Sequence, residues 1–183
     1  MIVTSLEIPD LKLIEPARHV DTRGHFSEVY SAREFARHGI DAVFVQDNHS
    51  VSHQAGTIRG LHFQSPPHAQ GKLVRVVSGL VVDVAVDMRT QSSTFGQHVC
   101  VELSAENGRQ LWVPEGFAHG FCTLVPDTEV LYKVTEFYHP QSDLGVAFDD
   151  PELAIKWPEV GLDYAMSDKD RHLPKLSDLR PYF

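Results

Sequence analysis

Cysteine is scarce in this sequence: Cys100 and Cys122 are its only two, and no CxxC spacing joins them. That excludes a disulfide-stapled scaffold and a thiol-rich zinc site. Two buried thiols in a reducing compartment is the reading that remains. Long apolar runs are missing as well. No window approaches the roughly 18 apolar residues of a membrane helix, and no basic segment leads into an apolar one near the N-terminus. The chain therefore reads as cytoplasmic, without a membrane partner. Basic charge is in deficit, with 16 Lys and Arg against 25 Asp and Glu and a formal net charge of −9. A surface of that sign repels nucleic acid and anionic lipid alike. A local basic pocket for a small anion stays open, with Arg23, Arg59, Lys72 and Lys169 as its candidates.

What is present is alternation. With 183 residues, 42% of them hydrophobic, the chain is long enough to bury a sizeable core as one domain, residues 1–183. Segments 43–47, 57–64, 72–77, 80–88, 97–103, 110–113, 117–124 and 129–137 read as short strands rich in Val, Leu and Phe. Turn residues separate them: Ser65-Pro66-Pro67, Ser78-Gly79, Asn107-Gly108, Pro114-Glu115-Gly116 and Pro126-Asp127. Strands at that spacing predict an all-β sandwich or barrel with few helices. One helix stands out, opened by a Ser31/Glu34 capping box and closed by Gly39. The C-terminal third, punctuated by Pro140, Pro151, Pro158, Pro174 and Pro181, reads as loops that wrap the sheet.

Side chains alternate across a strand, so in RGLHFQ Gly60, His62 and Gln64 share one face while Leu61 and Phe63 share the other. In LVVDVAVDM, Asp83, Ala85 and Asp87 fall opposite Val82, Val84, Val86 and Met88. A buried carboxylate is costly unless paired, so Asp83 either meets water or orients another polar group. With His62, Gln64, Lys72 and His119 also on predicted strands, a polar cavity inside the fold is the better reading.

Gly108-RQLWV-Pro114-x-Gly116-xx-His119 resembles the second motif of the cupin superfamily, a jelly-roll barrel, and Gly56…His62-Phe63-Gln64 resembles its first. The usual His-x-His is broken at Gln64, and His68 and Lys72 stand where a carboxylate is wanted. Two histidines beside an ammonium are too few ligands for a divalent ion, so no metal is expected. A neutral imidazole is instead well suited to lift a proton beside a ketone. The resulting enolate oxygen needs a cation or donor, which Lys72 or His119 can supply. In LYKVTEFY, Tyr132 and Tyr138 are six apart, one strand face if the strand is regular, and either can return a proton from the opposite side.

DTRGHFSE, FVQDNHS, IRGLHFQ, QGKLVRV, VDVAVDMR, LSAENGRQLWVPEGFAHGF, LYKVTEFYHP, KWP and SDKD, in that order, together resemble the dTDP-4-dehydrorhamnose 3,5-epimerase family. The resemblance implies that His62 is the base held by Asp170, that Tyr132 is the proton donor, and that Lys72 and His119 contact the sugar. It implies diphosphate contacts from Arg23 and Arg59. Nucleotide contacts would come from Glu28, Gln46, Asp47 and Asn48, with Lys169, Tyr138 and Asp143 also at the ligand. Asp143 stands where the family has Glu, and Phe148 where many members have Trp. The implied reaction is inversion of C3 and C5 in dTDP-4-dehydro-6-deoxy-D-glucose, without cofactor. The alternative is a dTDP-4-keto-sugar epimerase that inverts one centre only. Family members are homodimers that exchange an N-terminal segment, and residues 1–13 are apolar enough for an edge strand.

Overall fold

The computed structural model describes all 183 residues and has the jelly-roll sandwich expected. One sheet has six strands in the spatial order β1 (Ile2–Ser5), β2 (Lys12–Glu15), β10 (Gln110–Val113), β7 (Lys72–Ser78), β12 (Thr128–Val134) and β5 (Gln46–Ser52). The other has five: β13 (Asp143–Gly145), β6 (Ile58–Gln64), β11 (Phe117–Thr123), β8 (Leu80–Asp87) and β9 (His98–Ser104). A separate hairpin joins β3 (His19–Asp21) to β4 (Gly24–Phe26). The two α-helices, α1 (Ala32–Arg37) and α2 (Asp168–Arg171), are short, and no helix is long and apolar enough to cross a membrane.

The sheets bury their inner faces against each other. Val74, Val76 and Val130 from the six-stranded sheet meet Val81, Ala85, Phe117 and Phe121 from the five-stranded one. Each such side chain contributes about 1.5–3 kcal/mol by leaving water. The outer face of the five-stranded sheet is buried too. Leu61, Phe63, Val84, Val86 and Met88 lie under Leu153, Trp157, Leu176 and Phe183 of the C-terminal wrap. β8 is thus covered on both sides, which is why its valines run without a wet face. Asp87, at its end, is fully buried and accepts from Arg89, Ser92 and Thr94.

Four local expectations need correction. The 43–47 strand lies further along, as β5, because its inner residues Gln46, Asn48, Ser50 and Ser52 are polar and hide the apolar period. The strand expected to reach 137 ends at Val134, so Tyr132 and Tyr138 do not share a strand face. Helix α1 closes as expected, with Ile40 N–H on Phe35 O and Gly39 N–H on Ala36 O at a φ of +76°, a Schellman motif. Its capping box does not form: Ser31 makes no side-chain cap, and Glu34 pairs instead with Arg37 one turn on. Cys122 is buried, but Cys100 is exposed, because β9 is an edge strand and Cys100 points away from the core side that Val99 occupies.

Two glycines bring β6 and β11 unusually close. A Cβ on Gly60 (φ +119°) would stand 2.7 Å from both Gly120 Cα and His119 O, and one on Gly120 2.6 Å from Arg59 O. Only residues without side chains allow that approach. The register shifts just beyond it, leaving His62 and His119 directly opposite each other.

Candidate active site

Between the sheets lies a cavity of about 440 Å³. His62 on β6 and His119 on β11 enter it from the five-stranded sheet, and Lys72 on β7 and Tyr132 on β12 from the six-stranded sheet. Asp170 and Lys169, both on α2, and Arg59 complete its polar wall. The alternation that put a histidine and a lysine on strands therefore reflects a lined interior, not a wet surface.

Each histidine is held by a carboxylate. Asp170 Oδ1 lies 2.6 Å from His62 Nε2. Burial raises the Asp170 carboxyl, but the His62 hydrogen bond and charge, the Ser167 hydroxyl and the Gly60 N–H outweigh it, so the net shift is downward. An ionised carboxylate only accepts, which places the ring proton on Nε2 and leaves Nδ1 with a free lone pair. Asp83 Oδ1 does the same for His119 Nε2 at 2.9 Å. Asp83 is fully buried, so the choice left open by its strand position resolves in favour of orienting a histidine. Its second oxygen and the Ser50 hydroxyl are the buried side-chain atoms that lack a partner. Ser50 also lines the cavity, a residue that the polar run of β5 hides from a reading of apolar period.

Lys72 is buried, and its Nζ donates to His62 O at 3.1 Å. Burial lowers its pKa to about 8 against the opposing pull of Asp143 and Asp83. The Tyr132 phenol is pushed up by burial, with Arg59 opposing, so it keeps its proton at neutral pH. Arg59 is braced by Ser52 Oγ and Val51 O, which aims a fixed guanidinium along one wall.

The other expected residues divide. Asp143, though a methylene shorter than Glu, reaches both the Tyr138 hydroxyl and Lys169 Nζ, at the rim. Gln46 and Asn48 bond each other on the inner side of β5. Asp47 faces the opposite side of that strand and pairs with Lys133, so it lies outside the cavity. Arg23, in the β3–β4 hairpin, is tied to Asp21 and 88% exposed. Glu28 is exposed just after the hairpin, and neither residue reaches the cavity of its own chain. Phe148 packs edge-on against Tyr164. A cupin-type metal does not fit these side chains: only His62 and His119 offer a free ring nitrogen, Gln64 at the third ligand position is spent on backbone groups, and the Lys72 ammonium stands in the same cavity.

Comparison with known proteins decides the family. The model of the dTDP-4-dehydrorhamnose 3,5-epimerase family matches residues 5–178. The chain belongs to this family. A dTDP-4-dehydrorhamnose 3,5-epimerase of Sinorhizobium fredii is 51% identical over 98% of this chain and 91% of its own. The Bacillus anthracis epimerase crystallised with TDP and pyrophosphate is 52% identical over 95% of this chain and 98% of its own, with a TM-score of 0.92. The Legionella pneumophila enzyme in complex with dTDP-4-keto-L-rhamnose is 47% identical over 98% and 94%, with a TM-score of 0.93. Membership in the 3,5-epimerase family makes the chain a carbohydrate epimerase and its cavity the place to look for the chemistry.

Proposed function

We propose that the chain inverts C3 and C5 of dTDP-4-dehydro-6-deoxy-D-glucose, giving dTDP-4-dehydro-L-rhamnose, with His62 as base and Tyr132 as acid. The observation that carries this reading is that the two side chains come from opposite sheets and line one cavity. A sugar ring between them has the imidazole on one face and the phenol on the other. His62 Nδ1 takes the proton from carbon, the C–H electron pair moves into the C4 carbonyl, and the enolate oxygen is met by Lys72 and His119. Tyr132 then delivers its proton to the opposite face of the same carbon, and the pair resets through solvent, His62 releasing the proton it took and Tyr132 regaining one. The two relatives crystallised with nucleotide or product support a dTDP-sugar as the ligand, and Arg59 and Lys169 supply cationic partners for its diphosphate.

In deuterated buffer containing EDTA, NMR of the product is expected to show inversion and solvent deuterium at both C3 and C5. Inversion at one carbon only would make the chain a mono-epimerase. No exchange at either would overturn the assignment, and loss of turnover to the chelator would overturn its independence from metal.

A second copy completes the site in this reading. All six strand residues of the β3–β4 hairpin are exposed, including Val20 and Phe26, and the hairpin pairs with no other strand. Such a hairpin is marginal alone in water, and it carries Arg23 away from its own cavity. In a homodimer it reaches the partner's. Co-expressing Arg23→Ala with His62→Ala chains is then expected to restore turnover that neither variant shows alone, since one site of each mixed dimer is intact. No recovery, or a monomer by sedimentation equilibrium, would reject the shared site.

A further inference from the structure

Gln64 stands on β6, two residues beyond His62 and on the same face, where a cupin would place a metal ligand. Its side chain is only 4% exposed and does not line the cavity. Instead it makes three hydrogen bonds to backbone. Nε2 donates to His68 O at 2.8 Å and to Phe137 O at 3.1 Å, and Oε1 accepts from His139 N–H at 2.8 Å. The amide's two donors and its acceptor are thus all engaged. Two of the three bonds fall on the residues immediately before and after Tyr138. The main chain of Gln64 pairs with Asp143 on β13, which accepts from the Tyr138 hydroxyl at 3.1 Å and also binds Lys169.

The segment that carries Tyr138 has little else to fix it. None of residues 135–141 is buried, and Phe137 and Tyr138 are 61% and 58% exposed. A loop without buried apolar contacts is held only by its hydrogen bonds and local stacking. Gln70 Nε2 on Glu136 O, the Ser142 N–H and hydroxyl on His139, and the His68–His139 ring stack, with centroids 3.8 Å apart, steady the flanks. Gln64 alone grips both sides of Tyr138. We infer that Gln64 is a positioning residue that fixes the loop carrying Tyr138, an aromatic that the family resemblance puts at the ligand, the cupin ligand position having been turned from metal binding to loop placement. This rests on the dTDP-sugar reading above. Removing an aromatic ring on which a base stacks costs roughly fivefold to a hundredfold in affinity.

The test is a double-mutant cycle read on dTDP binding by calorimetry and on turnover. Gln64→Glu keeps the acceptor for His139 N–H but loses both donors and sets a carboxylate against two carbonyl oxygens. Gln64→Met keeps the volume and loses all three bonds. Each variant is expected to weaken dTDP binding and raise KM by about tenfold, as loss of a stacking platform does, with kcat nearly unchanged. In a Tyr138→Ala background the same substitutions are expected to change neither further. Equal losses in both backgrounds, a fall in kcat at constant KM, or dTDP binding indifferent to Tyr138→Ala would overturn the inference. Loss of the folded state in both Gln64 variants would assign Gln64 to stability instead. Because dTDP binding is read separately, a wild type that binds dTDP without turning the sugar over would sink the reaction and leave the role of Gln64 standing.

Discussion

His62→Asn is expected to lower kcat by roughly 10³-fold, within the range that a positioned acid or base contributes, while binding of dTDP stays close to wild type. The asparagine fills the same part of the cavity but offers no lone pair basic enough to take a carbon-bound proton. Asp170→Asn should follow in the same direction with a smaller loss. The amide can donate as well as accept, so the imidazole is no longer confined to the tautomer with Nδ1 free. Tyr132→Phe separates the two half-reactions. With His62 intact, protons at C3 and C5 should still wash out into deuterated buffer, but without inversion, since nothing returns a proton from the far face. The three variants are compared by NMR of substrate and product under one set of conditions. A His62→Asn enzyme within tenfold of wild type, or a Tyr132→Phe enzyme that inverts at the normal rate, would remove these residues from the chemistry.

Lys72→Met is expected to cost roughly 10²-fold or more in kcat, as loss of a charged group aimed at a developing oxyanion does, and to raise thermal stability at neutral pH. The opposite signs have one cause. Lys72 is 7% exposed, and burial lowers its pKa from 10.5 to about 8. Below pH 8 the lysine is charged in both the folded and the unfolded chain, and the native state carries the full cost of a buried ammonium, on the order of 3 kcal/mol. Between about pH 8 and 10.5 the folded chain releases its proton before the unfolded one, so that penalty fades as pH rises. The methionine variant should therefore melt above wild type at pH 7, by an amount reduced by the lost hydrogen bond to His62 O, and the gap should close toward pH 10. Turnover by the wild type should fall as pH passes through about 8, where Lys72 loses its charge, and this alkaline limb should vanish in Lys72→Met. Melting curves and pH profiles of the pair check both signs. A variant less stable than wild type at pH 7, or one retaining the alkaline limb, would show that the ammonium is not held at this cost for this purpose.

Legibility in the sequence followed physical period. β6, β7, β8, β10 and β11 were readable because their apolar residues alternate or run together where both faces are covered. The same alternation puts His62 and Lys72 on strand faces. A strand that lines a polar cavity carries no apolar period, which hides the bounds of β5 and with them Ser50. The hairpin β3–β4 carries no apolar signal, since its residues are exposed throughout and lack a buried face. Even spacing puts Tyr138 on the face of Tyr132 only for a regular strand, and the chain leaves the sheet at Val134 to meet Gln64.

By itself the sequence determined which groups are present and which chemistries are closed: too few metal ligands, a base-capable histidine, an ammonium, two phenols, and enough alternating apolar segments for a sandwich. Only the tertiary structure decided that His62 and Tyr132 enter one cavity from opposite sheets, that Asp170 and Asp83 each hold one histidine, and that Gln64 bonds the chain on both sides of Tyr138. The reason is range. Strand periodicity is local and repeats every two residues, whereas His62 meets Asp170 across 108 positions of chain, and no local pattern records which distant segments the packing of two sheets brings together.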